Sequence, residues 1–184
     1  DVQRLRVLLN NSDGNGNSFG THLNFMISTQ AFNQITVLCE KHLLFLASFH
    51  ASIMLLGQGK VGSEDGAPHV NYQWSQRADF CRHRLLAENT MHPDRPLVNT
   101  RNEPHAAWKS GLSRLHVICH DNNLCPVACV IKVGLLSIIL CMIEAGEMPE
   151  DLLLADPLGA SVCFSHDTGL SAKVARMDGR EATR

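Results

Sequence analysis

Two stretches of this chain alternate polar and apolar residues cleanly enough to specify strands with two unlike faces. In THLNFMIS (21–28), Leu23, Phe25 and Ile27 fall on one side and His22, Asn24 and Ser28 on the other. In SRLHVICH (113–120), Leu115, Val117 and Cys119 share a face, while Arg114, His116, Ile118 and His120 share the opposite one. A guanidinium and an imidazole therefore stand side by side on a single strand face.

Two further stretches repeat the pattern. In LVNTR (97–101), Asn99 and Arg101 share a face, and in QWSQR (73–77) Gln73, Ser75 and Arg77 do so. One polar strand face is ordinarily just solvated. Four such faces, carrying arginine and histidine, predict a polar concavity suited to phosphates and metal ions if the strands join one sheet.

The rest of the chain places these strands. Residues 5–10 read as a short strand, and the Gly- and Asn-rich run 11–20 as a loop. Residues 30–55 read as a helix with an apolar stripe at Ile35, Leu38, Leu43, Leu46 and Phe49. Strands follow over 70–77, 97–101 and 112–121, then a long buried helix over 127–145. A short helix opens at Pro149, and 162–166 reads as a strand or a helix end. Strands and helices interleave without a regular βαβ rhythm, which predicts an α+β fold in a single domain over 1–184.

Composition narrows the function. A formal net charge of −2 over 184 residues gives no polyanion-binding surface, so no nucleic-acid partner is expected. The longest apolar run, VGLLSIILCMI (133–143), lies between Lys132 and Glu144 and is about half of the roughly 20 residues a membrane span needs. A buried helix and no membrane are the reading. Seven cysteines is an odd number with no paired spacing, which points to free thiols and a reducing cytoplasm. Cys39, Cys129, Cys141 and Cys163 sit among apolar residues and are expected in the core. The chain has no initiating Met, begins close to an apolar run and ends in polar DGREATR, as though cut from something longer.

Other patterns carry less. GQGKVG (57–62) lacks the length and the Ser/Thr of a phosphate-binding loop and reads as a turn. His116, Cys119, His120, Cys125 and Cys129 do not have a zinc spacing, and alternation sends Cys119 away from both histidines. Ser165, His166 and Asp167 read as a loop.

Several motifs, in order and over nearly the whole chain, resemble the Pup ligase and Pup deamidase/depupylase family: NSDGNGNSFGTHLNFM (11–26), SQRAD (75–79), PLVNTRNEPHA (96–106), RLHVICHDNN (114–123), KVG (132–134), MIEAG (142–146) and DGRE (178–181). The DGNG loop, GKVG and SHDT (165–168) look more like the deamidase/depupylase branch. The resemblance implies a glutamine synthetase-like architecture: a curved, mostly antiparallel sheet with helices on its convex side and ATP and Mg²⁺ in its concave face. It implies a large-domain fragment, its central and C-terminal part. It also implies Pup, a small disordered modifier, and pupylated proteins as partners. The deamidase/depupylase hydrolyses a side-chain amide or isopeptide bond; the ligase forms that isopeptide bond through a phosphorylated carboxylate.

By the same resemblance, His22 and His116 match metal-binding histidines, Arg114 matches an arginine on nucleotide phosphate, and Arg77 and Arg101 match arginines of that cradle. Magnesium prefers oxygen ligands, so carboxylates must join those histidines. The family's acidic N-terminal motif and its catalytic aspartate have no match here, so no catalytic residue is assigned. Within the chain, Leu23 stands where the family has glutamate and Asn102 where it has aspartate. A depupylase-like protein, inactive as this partial chain, is expected. A ligase and a non-catalytic modifier-binding module are the rivals.

Overall fold

A computed structural model of the chain describes residues 6, 8–63, 68–86, 95–101 and 111–183. The chain runs β1 (Thr21–Ser28), α1 (Thr29–Asn33), a π-helical turn (Gln34–Leu38) and α2 (Glu40–Ser52). Strands β2 (Lys60–Gly62), β3 (Val70–Gln73), β4 (Cys81–Leu86), β5 (Arg95–Asn99) and β6 (Leu112–His120) follow, then α3 (Pro126–Ala145), α4 (Pro157–His166), β7 (Lys173–Ala175) and β8 (Glu181–Thr183). The fold is mixed α+β. Among the described residues the strands form four two-stranded pieces rather than one curved sheet: β1–β6, β2–β3 and β7–β8 are antiparallel and β4–β5 is parallel.

The two alternating stretches are the paired strands β1 and β6. Phe25 lies opposite Leu115 and Asn24 opposite His116, so the apolar sides coincide. Ile27, Leu115 and Val117 are buried there against Phe32, Leu46 and Leu140 from the helices. Strand β5 lies beside β6. Near the far end the register slips: Leu23 faces Val117 but Thr21 faces His120. That extra residue on β6 is a bulge, and it breaks the alternation from Ile118 onward.

Helix boundaries follow local chemistry. Ser28 ends β1 and caps α1, its hydroxyl accepting from Ala31 N–H at 3.2 Å. The single helix expected over 30–55 is instead bent by 94°. Its break is at Cys39, where an extended backbone (φ −142°) follows the π-turn. Helix α3 matches its expected span. Pro126 opens it, and Gly146, at φ +76°, closes it in the left-handed conformation that glycine adopts without steric cost.

Other expectations need correction. Residues 6 and 8–10 form no strand, and Leu8 is exposed; residues 1–5 and 7 lie outside the described set. The strand expected over 70–77 ends at Gln73, and a 3₁₀ turn takes Gln76–Phe80. The next strand is shifted to 95–99, leaving Arg101 beyond its end. Residues 162–166 belong to α4. The seven cysteines are free thiols, but Cys141 and Cys163 are exposed; Cys81 and Cys119 are the buried ones.

Helix α3 is not the buried helix that was expected. It buries a stripe of Lys132, Leu136, Leu140 and Ile143, spaced four, four and three apart. Val127, Val130 and Ile138 on its other sides are exposed. By length and composition alone α3 could cross a membrane. Its middle is nevertheless anchored to protein: buried Lys132 donates to the Asp121 carbonyl at 2.8 Å and to Asn123 Oδ1.

Asp121, just past β6 and only 1% exposed, gathers the surrounding segments. Its carboxylate accepts from Ser75 Oγ at 2.9 Å, Arg77 N–H at 3.0 Å and Gln58 N–H at 3.0 Å. Its carbonyl accepts from Thr21 Oγ1 at 2.8 Å as well as from Lys132. Asp121→Ala leaves two buried donors, the Ser75 hydroxyl and the Arg77 N–H, without an acceptor, each costing on the order of 1–3 kcal/mol, besides the less buried Gln58 N–H. Urea unfolding is expected to show a loss of about 2 kcal/mol or more. Lys41→Ala, which removes an exposed pair with Glu150, is expected to cost less than about 1 kcal/mol.

Candidate functional site

The polar face of the β1–β6 pair brings four of the singled-out side chains together. His22 Nδ1 lies 3.0 Å from His116 Nε2, with ring centroids 5.0 Å apart. Arg114 Nη1 donates to Asn24 Oδ1 at 2.8 Å across the same pair. From β5, Asn99 Nδ2 reaches within 3.5 Å of His116 Nδ1, and its Oδ1 accepts from the Arg101 N–H at 2.9 Å. Three chain segments thus meet over two imidazoles, because a strand pair in this register stacks His22, Asn24, Arg114 and His116 on one side.

Exposure differs across this face. His22 and Asn24 are exposed, whereas His116 is 7% exposed. Burial draws the His116 pKa down to about 4, and the Arg114 guanidinium, the His22 ring and Arg101 act the same way. Burial also lowers His22, reinforced by Arg77, Arg95 and Arg101. Among the described residues, the charges acting on both rings are positive. Two neutral imidazoles therefore sit within a field of guanidinium groups, which favours an anion.

Arg77 occupies a different place from the one its strand reading suggested. It is 3% exposed, and it lies behind the β1–β6 edge. Its Nε donates to the Ile118 carbonyl at 3.2 Å and its Nη1 to the Ser18 carbonyl at 2.6 Å. A methyl group added at Gly20 would stand 2.8 Å from the His120 carbonyl and 3.0 Å from Arg77 Nε, so only glycine admits this approach. Arg77 therefore fastens the 11–20 loop to β6. That loop is itself organised by Asp13, whose carboxylate accepts from Asn15 N–H at 2.8 Å and Asn17 Nδ2 at 2.6 Å.

The described residues do not by themselves suit a magnesium ion at His22 and His116. A hard cation of this kind takes oxygen ligands. Among the described residues, three or more metal-capable side chains converge only at His50, Cys119 and His120, not here. Asn102 lies outside the described residues. Leu23 is partly buried against the core, on the side away from His22. A separate cavity of about 150 Å³ lies between Asn11, Gln58, Lys60 and Gln76, away from the imidazole pair, and holds none of the arginines or histidines described above.

Sequence reasoning missed two things. Asp121 lay inside a recognised motif, but nothing in the pattern marked it as the common acceptor. Cys119 was placed away from His120, yet its Sγ lies 3.5 Å from His120 Nε2, because the bulge interrupts the alternation.

Comparison with known proteins shows the family. The family model described as "Pup-ligase protein" matches residues 1–184. The chain is 37% identical over 182 residues to a Pup deamidase/depupylase of Mycolicibacterium smegmatis, covering 98% of this chain and 34% of the relative. It is 37% identical over 190 residues to a Pup–protein ligase of Kocuria rhizophila, covering 97% and 38%. The chain thus spans about a third of the length of the curated relatives it matches. Among solved structures it resembles the Pup ligase PafA in complex with ADP, at a TM-score of 0.68 and 26% identity, covering 98% of this chain and 38% of that one. A complex of PafA with Pup gives a TM-score of 0.66 at 29% identity, covering 94% and 33%.

The imidazole field sets a pH dependence. Between the ordinary value of 6.5 and about 4, the unfolded chain gains a proton at His116 and the folded chain does not. This contribution to stability is therefore complete above about pH 6.5 and is lost as pH falls toward 4. In chelator-treated protein the His116 ring is expected to be neutral at about pH 5.5 by its ring-nitrogen and ring-carbon shifts, where an ordinary histidine is charged. A charged ring at that pH would contradict the assignment.

Proposed function

Because the chain belongs to the Pup-ligase family, we propose that it carries part of the nucleotide cradle of a Pup deamidase/depupylase-like enzyme. The whole protein would hydrolyse the side-chain amide or the isopeptide bond of a Pup-type modifier in the cytoplasm. The observation that carries this reading is the face on which Arg114, Asn24, His22 and His116 converge, with arginine charges acting on both rings. The β1–β6 pair with its helices on one side would be the central part of a curved, glutamine synthetase-like sheet.

In this reading Arg114 and Arg101 orient nucleotide phosphate, as guanidinium groups suit polyphosphate oxygens. Asn24 holds the Arg114 fork in place through its 2.8 Å bond. Arg77 acts indirectly, keeping the 11–20 loop against β6 while adding its charge to the field at His22. His22 and His116, kept neutral, bond to each other through Nδ1 and Nε2, and Asn99 faces the remaining nitrogen of His116, which leaves His22 Nε2 as the ring nitrogen of the pair that can meet phosphate or water. Catalysis by oriented charge of this kind needs a rigid cradle more than mobile parts. The described residues do not by themselves suit Mg²⁺. The residue that activates the attack on the amide would lie outside these 184 residues.

A ligase reading rests on specific observations too. The similar solved structures are of a Pup ligase, one with ADP and one with Pup, and the curated relatives include ligases at 37% identity. The nucleotide cradle is common to both readings. In the whole protein, ADP release coupled to isopeptide formation would favour the ligase.

Calorimetry of ATP and ADP against the folded chain tests the cradle. Arg114→Ala is expected to weaken binding by about tenfold or more, equivalent to about 1.4 kcal/mol. His116→Ala is expected to weaken it in the same direction. No nucleotide binding by a chain with native circular dichroism would overturn the cradle. The 184-residue chain by itself is expected to show no depupylation, and measurable turnover would contradict that.

A further inference from the structure

A second pair of imidazoles lies at the far end of β6, shielded from solvent. His50 on α2 and His120 on β6 are 1% and 2% exposed. His50 Nδ1 is 3.0 Å from His120 Nε2. Cys119, fully buried, places Sγ 3.5 Å from that same His120 nitrogen. One ligand atom of each residue lies within 4.8 Å of the other two. Donors bonded to one three-coordinate ion at about 2.0–2.3 Å stand about 3.5–4.0 Å from one another, so small adjustments suffice.

Hydrogen bonding alone leaves this cluster incomplete. The two rings and the thiol crowd one nitrogen, since His120 Nε2 faces both His50 Nδ1 and Cys119 Sγ. A ring nitrogen facing two possible ligand atoms shares a hydrogen with only one of them at a time, whereas an ion among the three would bind all of them. Burial drives His50 and His120 toward the neutral form, His50 to about 3, and a neutral imidazole is the form that binds metal. We propose that His50, Cys119 and His120 form a buried, three-coordinate site for a cuprous ion.

Charge selects the ion. When Cys119 binds, its S–H proton leaves as H⁺ and the sulfur–copper bond forms, while the two ring nitrogens contribute lone pairs. Copper stays Cu(I), so one positive charge replaces another and the dry site keeps its net charge. Zinc would leave one added positive charge there, beside Lys132 and Arg77, whose charges already act on His120. Burying an uncompensated charge is costly. A thiolate with imidazoles also suits soft Cu(I). The site is closed, so the ion would enter during folding or local opening, and its binding energy adds to folding stability.

The test uses the 184-residue chain carrying Cys125→Ala, Cys141→Ala and Cys163→Ala, which removes the exposed thiols. It is refolded with cuprous ion without oxygen and then challenged with a copper(I) chelator. One copper per chain should be retained, with X-ray absorption showing one sulfur and two nitrogen neighbours and a raised thermal midpoint. Cys119→Ala and His50→Gln should each abolish retention. The spectrum of the unsubstituted cluster gives an answer even if those variants fold poorly. Sulfur-only coordination, retention unchanged in Cys119→Ala, retention of zinc in place of copper, or no copper retained would each overturn the proposal.

Discussion

The carboxylate of Asp121 is the interaction on which the arrangement around both imidazole pairs depends. It sits just past the last residue of β6 and accepts hydrogen bonds from Ser75, Arg77 and Gln58. Its carbonyl holds Thr21 at the start of β1 and Lys132 in the middle of α3. Burial pushes its carboxyl pKa up, while the donors around it pull the other way. A buried acid surrounded by donors is costly to disturb, because every donor it serves would otherwise be left unpaired. That coupling fixes where β6 ends, and hence which side chains face α2 and which face β1.

The bulge at the same end of β6 divides the strand into two chemical environments. Before it, alternation holds, and Arg114 and His116 meet Asn24 and His22 on a face open at one side. After it, Cys119 and His120 turn together toward His50 inside the protein. One strand thus presents an open, cationic surface suited to an anion and a closed, uncharged cluster suited to a soft ion. The difference comes from one extra residue in the pairing, which bends the strand and re-aims its side chains.

Helix α3 shows how a long apolar sequence can be only partly used. Lys132, Leu136, Leu140 and Ile143 pack inward, with the lysine amine placed on carbonyl and amide oxygen. Its apolar residues on the remaining sides face solvent in this chain, which spans about a third of its relatives. Hydropathy counts apolar residues around the whole helix, so it could not separate the anchored stripe from the open side.

The sequence by itself determined the strands over 21–28 and 112–121, the second of which ends at His120, the span of α3, the α+β class and the polar side of each strand that carries His22 or His116. Each of these follows from a period of two or from a continuous apolar run, which are local properties. The family membership was legible in its motifs for the same reason. Tertiary structure alone decided the rest. It bent the 30–55 helix at Cys39 and set Arg77 behind the strand pair. It made Asp121 a common acceptor and carried His50 to Cys119 and His120 from 70 residues away. These outcomes depend on distant segments competing for the same space and hydrogen bonds, and no local periodicity encodes that competition.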